Sequence, residues 1–491
     1  MRKEVIVVAA TATTAVAVVG GAVLLHKWKR QRENRWRHTQ RILRKLASEC
    51  AAPVPKLWLL ANELMAEMQS GLASDKPKIQ MSSFPSYSVS LPTGDEAGLY
   101  YGINLRGNSF LILKARLGGK NEPIYDLQRQ ETHIPPNLIT GESKELFDFI
   151  ALELSKFISM HDDNSGVAKL EKVKLGFTIS APVDQDVASA CKAIDWKKLN
   201  DHTVREQLTT EINHALTTHS VDMQVSAVVD EVVGDLAGGR YYSRDSVAAI
   251  SMGMGIDVAY TEIAQEAQKL QTESANSVEM VVNMQLRDFS SVNLPLTEFD
   301  ATMDLESTNP GVRVFEKLVS GMYLGEIVRK VLLKMAQETA LFGDIVPTKL
   351  ITPYILRSPD LAAMHQDTSE DYKVVDEKLK EIFEIANTTP MVREVVAEIC
   401  DIVAERGARL VGATMVGLVK KLGRIANRKS VITVEGGLYE HYRIFRNYLH
   451  SSVWEMLGSE LSDNVIIEHS HGGSGAGALF LAASHTHNAH S

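Results

Sequence analysis

Only three cysteines occur in 491 residues, Cys50, Cys191 and Cys400, far apart and without CxxC spacing. That excludes a disulfide framework and a spaced zinc site, and it makes a reducing compartment the default. No short-period repeat runs through the chain. An excess of positive charge is also missing. The 52 Lys and Arg stand against 61 Asp and Glu, a formal net charge of −9, which argues against a nucleic-acid partner. What is present is a globular composition, 45% hydrophobic and 23% charged, at roughly three times the usual domain length. Two or more domains with sizeable cores follow.

The charge is unevenly divided. Up to Leu46 there are eleven Lys and Arg against two acids, so the remaining 445 residues carry 41 basic against 59 acidic side chains. Val5 to Leu25 is a run of 21 residues without a charge, about 31 Å long as a helix and so long enough to span a bilayer's hydrocarbon core. Nine Lys and Arg follow between Lys27 and Lys45, with Trp28 and Trp36 among them and only Glu33 opposed. A run of this kind is either a cleaved signal peptide or an anchor. The downstream basic flank opposes translocation, so it favours an anchor over residues 5–25 with the body in the cytosol.

Beyond the head, Leu57, Leu60, Leu64 and Met68 recur at helical spacing, and Gly71 to Pro92 reads as a loop. The folded body is therefore expected to begin near Gly98. Two strands, Leu99 to Leu105 and Phe110 to Ala115, turn at Arg106-Gly107-Asn108. Ser143 can cap a helix whose apolar stripe is Leu146, Phe149, Ile150, Leu154 and Phe157. A strand (Lys174 to Ser180), a helix (Thr203 to Thr217), a strand (Val225 to Val229) and a glycine-rich turn follow. A second pass runs from the strand Val247 to Ser251 through long helices near Phe315 to Leu341 and Arg393 to Leu422 to the strand Val431 to Val434. Strands alternating with helices over two similar halves indicate an α/β protein of two lobes.

Glycines sit directly after predicted strands at Gly107, at Gly253 and Gly255, at Gly436 and Gly437, and at Gly472 to Gly475. Glycine there lets backbone amides approach an anion, although a tight strand-to-helix turn alone also explains each one. At this point the chain resembles the plant hexokinases over nearly its whole length. The resemblance is carried by Phe315-Glu-Lys-Leu-Val-Ser-Gly-Met-Tyr-Leu-Gly-Glu326, Asp401-Ile-Val-Ala-Glu-Arg-Gly-Ala-Arg-Leu410, Gly436-Gly-Leu-Tyr-Glu-His-Tyr442 and Leu236-Ala-Gly-Gly-Arg-Tyr-Tyr242. It implies the two-lobed, actin-like (ribonuclease H-like) sugar kinase fold, ATP with magnesium, a hexose between the lobes, and an anchor in the mitochondrial outer membrane. On that reading residues 26–97 are basic flank, helix and linker. Residues 98–230 with a C-terminal helix over 475–491 form the small lobe, and residues 231–474 form the large lobe.

The resemblance also locates departures. Where the family has a base Asp in Asn-Asp-Thr-Val-Gly-Thr, this chain reads Asp230-Glu231-Val-Val-Gly-Asp235. The extra methylene moves the carboxylate by about 1 Å, a displacement that can cost about a hundredfold in rate. Of the sugar contacts implied, Ser180, Lys198 and Asn283 are kept, whereas Gln285 and Val312 replace glutamates. Two sugar hydroxyls left unpaired at about 1 to 3 kcal/mol each weaken binding roughly 30- to 10⁴-fold. The first phosphate loop reads Asn104-Leu-Arg106-Gly107-Asn108-Ser109 and lacks the Asp expected to support hydrated magnesium, while the second, Gly253-Met-Gly255-Ile-Asp257, loses two hydroxyls and gains a charge. Glu435-Gly436-Gly437 and Ser474 keep the nucleotide side. His485, His487 and His490 have metal-ligand spacing, but a solvated terminus is the better explanation, and no metal residue is assigned.

Two functions are consistent with this pattern. One is an enzyme that phosphorylates hexoses from ATP, with Glu231 as base, Ser180, Lys198, Asn283, Asp230 and Gln285 on the sugar, and Gly107, Gly253, Gly255, Gly436, Gly437 and Ser474 on the nucleotide. The other is a binding or regulatory protein on the same fold, with weakened hexose and ATP binding. The joint change of base, sugar and phosphate elements favours the second.

Overall fold

The computed structural model describes residues 26–27, 29–73, 86–87, 90–161, 173–180, 192–194, 199, 201–263, 279–284 and 286–487. The run Val5 to Leu25, Trp28, Lys198, Gln285 and His490 lie outside these residues. Among the described residues no helix is long and apolar enough to cross a membrane.

The chain forms two compact units. One gathers the described residues up to Ala51 with Gly325–Val403, the other Ala52–Leu324 with Ala404–Ser491. Among its described residues the regular elements of the first are all helical, and it buries Ile42, Leu43 and Leu46 of a helix over 29–50. Its core also holds an ion pair: Arg329 donates to both carboxylate oxygens of Glu326 at 2.8 and 2.5 Å and to the Leu350 carbonyl at 2.6 Å. Both charges are therefore satisfied without water, the condition under which burying them is tolerable.

The second unit contains two sheets. A five-stranded sheet has the order β4-β3-β2-β5-β6, built from β2 (Ala97–Arg106), β3 (Ser109–Gly118), β4 (Tyr125–His133), β5 (Val173–Ser180) and β6 (Met223–Asp230). A six-stranded sheet has the order β1-β9-β8-β7-β10-β11, built from β1 (Ser86–Tyr87), β7 (Ser246–Met252), β8 (Ile256–Ile263), β9 (Glu279–Met284), β10 (Ser430–Glu435) and β11 (Val465–His469). In the first sheet β2 pairs antiparallel with β3 and parallel with β5, so the hairpin turns at Gly107-Asn108 as the sequence predicts. In the second, β7 pairs parallel with β10, which puts the ends of both on one edge.

The folded body starts well before Gly98. Helix α1 (Val54–Ala73) buries Leu57, Leu60, Leu64 and Met68, each at most 3% exposed. One face of the five-stranded sheet is covered by α2 (Ser143–His161) and α3 (His202–Thr218), whose apolar residues join Ile103, Phe177 and Val225 in one core. Ser143 is the first residue of α2, where its hydroxyl donates to Glu211 at 2.6 Å. Phe147 occupies the core and the predicted Phe149 packs partly buried at its margin.

The glycine-rich turn expected after β6 is instead helix α4 (Glu231–Tyr242). Its glycines serve packing. A Cβ at Gly234 would lie 2.9 Å from the Gly477 backbone of α5 (Gly477–His487), and one at Gly176 on β5 would lie 1.7 Å from the Ala478 carbonyl oxygen. Removing the side chains lets α4 and α5 lie directly on the sheet. The predicted long helix from Phe315 is likewise divided, at Ser320, into Val314–Val319 and Gly321–Thr339. There the Gly321 and Met322 amides turn to donate to the Gly253 and Met254 carbonyls, at 2.9 and 3.2 Å.

Candidate active site

The strand ends explain why the site forms where it does. Arg106 ends β2, Ser180 ends β5, Asp230 ends β6 and Glu435 ends β10, and crevices beyond the carboxyl ends of strands are where α/β sheets bind ligands. These residues line one cavity of about 410 Å³ together with Gly107, Glu231, Gly253, Gly255, Asn283, Gly436, Gly437 and Ser474. Every described residue assigned to the site from sequence is therefore brought together. Val312 is 51% exposed and is not among the residues lining the cavity.

On the sugar side the predicted residues contact each other. Asn283 donates through Nδ2 to Asp230 Oδ2 at 2.7 Å, and Arg205 of α3 donates to the same oxygen at 3.0 Å. Arg205 is buried and also donates to the Val228 carbonyl at 3.1 Å and to that of Leu199. Deeper in, Arg287 donates to Asp257 at 3.4 Å and Arg313 faces Glu316 at 3.5 Å. Burial pushes the Asp257 carboxyl up to about 6, with Arg287 opposing it, and the Glu316 carboxyl up to about 7. The Arg287 guanidinium is held above its ordinary value by Asp257 and Glu316 even though burial opposes that. Sequence reasoning missed Arg205, Arg313 and Glu316 as cavity-side charges. For Arg287 the signal was available, since it closes the run that starts at Asn283.

The base position faces the phosphate loops. Glu231 is the first residue of α4, and its Oε1 accepts from Asn104 Nδ2 and, at 3.4 Å, from the Ser474 hydroxyl. Arg106 Nη2 lies 3.7 Å from the same oxygen and donates to Ser474 Oγ at 2.6 Å. One carboxylate oxygen is thus shared by three groups that sequence reasoning placed on the phosphates. Glu435 is pushed up to about 7 by burial and by the Glu231 charge, against the hydrogen bond from Ser474. Fully buried Asp235 is raised well above the ordinary carboxylate range by burial and then by Glu435, Glu231 and Glu440. Gly436 adopts φ 111°, and a Cβ there would come within 2.5 Å of the Met252 backbone, so only glycine fits that turn.

The residues present do not fit a magnesium ion. Among the described residues no three His, Cys, Asp or Glu side chains are grouped to hold a metal. Asn104 offers a neutral amide whose Nδ2 is committed to Glu231, and the Arg106 guanidinium already supplies a positive charge at that carboxylate. Asn104 Oδ1 is buried without a partner, but one amide oxygen beside a guanidinium is a poor site for a hard divalent cation, which prefers carboxylates and water.

Two hexokinase family profiles match the chain, one over residues 42–241 and the other over residues 247–484. Hexokinase-1 of Spinacia oleracea is 44% identical over 494 residues, covering 99% of this chain and 98% of its own. The chain belongs to the hexokinase family. Hexokinase-1 of Arabidopsis thaliana is likewise 44% identical, over 489 residues and 98% of both chains. Among solved structures, the Schistosoma mansoni hexokinase complexed with glucose superposes with a TM-score of 0.73 at 25% identity, over 91% of this chain and 99% of its own. The two-lobed α/β fold expected from the sequence thus agrees with this neighbour.

Proposed function

We propose that this hexokinase family member holds a hexose and a nucleotide only in part, carries out phosphoryl transfer weakly or not at all, and acts in glucose sensing, regulation or scaffolding. The observation that carries this reading is the engagement of Glu231. A general base must keep a lone pair aimed at the hydroxyl it deprotonates, whereas Oε1, one of the two Glu231 carboxylate oxygens, already faces Asn104, Ser474 and Arg106. The sugar side points the same way, because Asp230 accepts from Asn283 and Arg205.

Residues 5–25 and their basic flank support a further part of the proposal, a single-pass anchor in the mitochondrial outer membrane with the body facing the cytosol. Alkaline extraction of purified mitochondria, with protease added outside, tests it. Recovery in the extracted soluble fraction would argue against an anchor.

A second reading is an active hexokinase that transfers phosphate from ATP to the 6-hydroxyl of glucose or fructose. It is favoured by the placement of Ser180, Asp230, Glu231 and Asn283 around one cavity. On that reading Glu231 takes the hydroxyl proton while Asp230, Asn283 and Ser180 orient the sugar. A glucose-6-phosphate assay run beside calorimetric titration with glucose separates the two. Ordinary turnover supports the enzyme, binding without turnover supports the sensor, and neither supports a pure scaffold.

A further inference from the structure

We propose that the nucleotide side of this cavity binds a polyphosphate without magnesium, with Arg106 as the cation that takes the metal's place. The inference rests on the reading above that a nucleotide is held in part.

Arg106 is positioned by backbone. It is the last residue of β2, in register with Ser109 of β3 and with Ser180 of β5, so its Cα is fixed from both sides. Its guanidinium reaches the loop Gly472 to Gly475 and donates to Ser474 Oγ at 2.6 Å. The side chain is 29% exposed, and a guanidinium has five N–H donors. Donors therefore remain to grip phosphate oxygens in the fork geometry that suits them.

A second guanidinium approaches the same loop. A Cβ built on Gly473 would lie 3.2 Å from Arg129 Nη2, and Gly473 has φ 72°. The Arg129 pKa is lowered by burial and then by the charge of Arg106, with Glu440 opposing, so the two cations feel each other beside this loop although Arg129 does not itself line the cavity. Two of the neighbouring carboxylates, Asp235 and Glu435, hold their protons to higher pH than usual because they are buried, and the third, Glu231, faces Arg106 at 3.7 Å. A neutral amide at Asn104 and a guanidinium at Arg106 thus act in one direction, away from a divalent cation and toward a bare anion.

The test is calorimetric titration of the full chain in detergent with ATP, once with EDTA and once with excess magnesium. The expected result is binding in EDTA at least as tight as in magnesium, because the metal-bound nucleotide carries less negative charge. Arg106→Gln should weaken the EDTA affinity about tenfold or more, as loss of a charge-assisted contact does, while Arg116→Gln, on the far end of β3, should leave it unchanged. Binding that requires magnesium would overturn the proposal and leave the nucleotide-holding reading standing. Tighter binding by Arg106→Gln would also overturn it, by showing that the arginine obstructs the site. Absence of binding in both buffers would remove the proposal and that reading together.

Discussion

Asp230 accepts from Asn283 at 2.7 Å, and both residues belong to the set that the family pattern places on the sugar. A hexose entering this cavity must break that bond or share it. Arg205, at 3.0 Å from the same oxygen, makes the arrangement harder to open. Asp230 and Asn283 are therefore held in place without a ligand.

Arg205→Met should lower stability by about 3 kcal/mol, because it leaves Asp230 largely buried with its ion-pair partner removed. The side chains of Arg205 and Asp230 are only 8% and 18% exposed, so solvent does little to compensate. A reduced urea midpoint at unchanged slope is the readout. A shift of less than about 0.5 kcal/mol, ordinary for a surface substitution, would show that the pair is not holding the core of this site.

Glu231→Asp restores the family's base but should not restore hexokinase turnover. Shortening the side chain corrects about 1 Å of displacement, worth about a hundredfold at most, while Arg106, Ser474 and the Asn283-Asp230 bond remain in place. Glucose phosphorylation by the variant is expected to stay within about tenfold of the parent chain, since general acid-base catalysis adds only what geometry allows. Turnover at the level of ordinary hexokinases would show that the other changes are tolerated.

Much of the fold was legible because its signals are local. Apolar runs bounded by Gly, Asn and Ser give β2, β3, β5, β6, β7 and β10, and the glycines after them mark the cavity because strands end there. What was not legible depends on distant partners. Helix α4 reads as a turn until Gly477 and Phe480 are seen against its glycines. The Arg106-Ser474 bond joins residues 368 positions apart, and no local pattern announces it. The capture of Asp230 by Arg205 is invisible for the same reason, since the arginine sits on α3 where it reads as an ordinary polar helix position.

Stability should fall as pH rises from about 5 to about 7. Burial raises Glu67, Glu316 and Glu435 from 4.5 to about 7 and Asp257 from 3.8 to about 6. Across that window the native state keeps protons that the unfolded chain has released, so the stability these groups contribute is fully present below their unfolded values and lost through their folded ones. His450, held below its ordinary value by partial desolvation and by Arg446 and His469, works in the opposite sense on acidification, but it is one group against these four. Urea midpoints at about pH 6 and about pH 7.5 should differ in favour of the lower pH, and Glu435→Gln should narrow the gap. Midpoints that rise with pH across this range would contradict the raised carboxylates.

Gly176→Ala and Gly253→Ala separate a glycine needed for packing from one that merely precedes a loop. The new methyl at 176 would need to occupy space 1.7 Å from the Ala478 carbonyl oxygen, whereas nothing lies within 4 Å at 253. The only relief at 176 is for α5 to lift from β5, which would loosen Leu479, Phe480 and Ala482 in the core they share with α4. Overpacking of this kind costs about 3 kcal/mol, so Gly176→Ala should lower the melting temperature by several degrees, while Gly253→Ala should stay within about 0.5 kcal/mol of the parent. Equal melting temperatures for the two variants would mean that α5 is not seated on the sheet by the absent side chain, and the close approach of α4, α5 and β5 would need another cause.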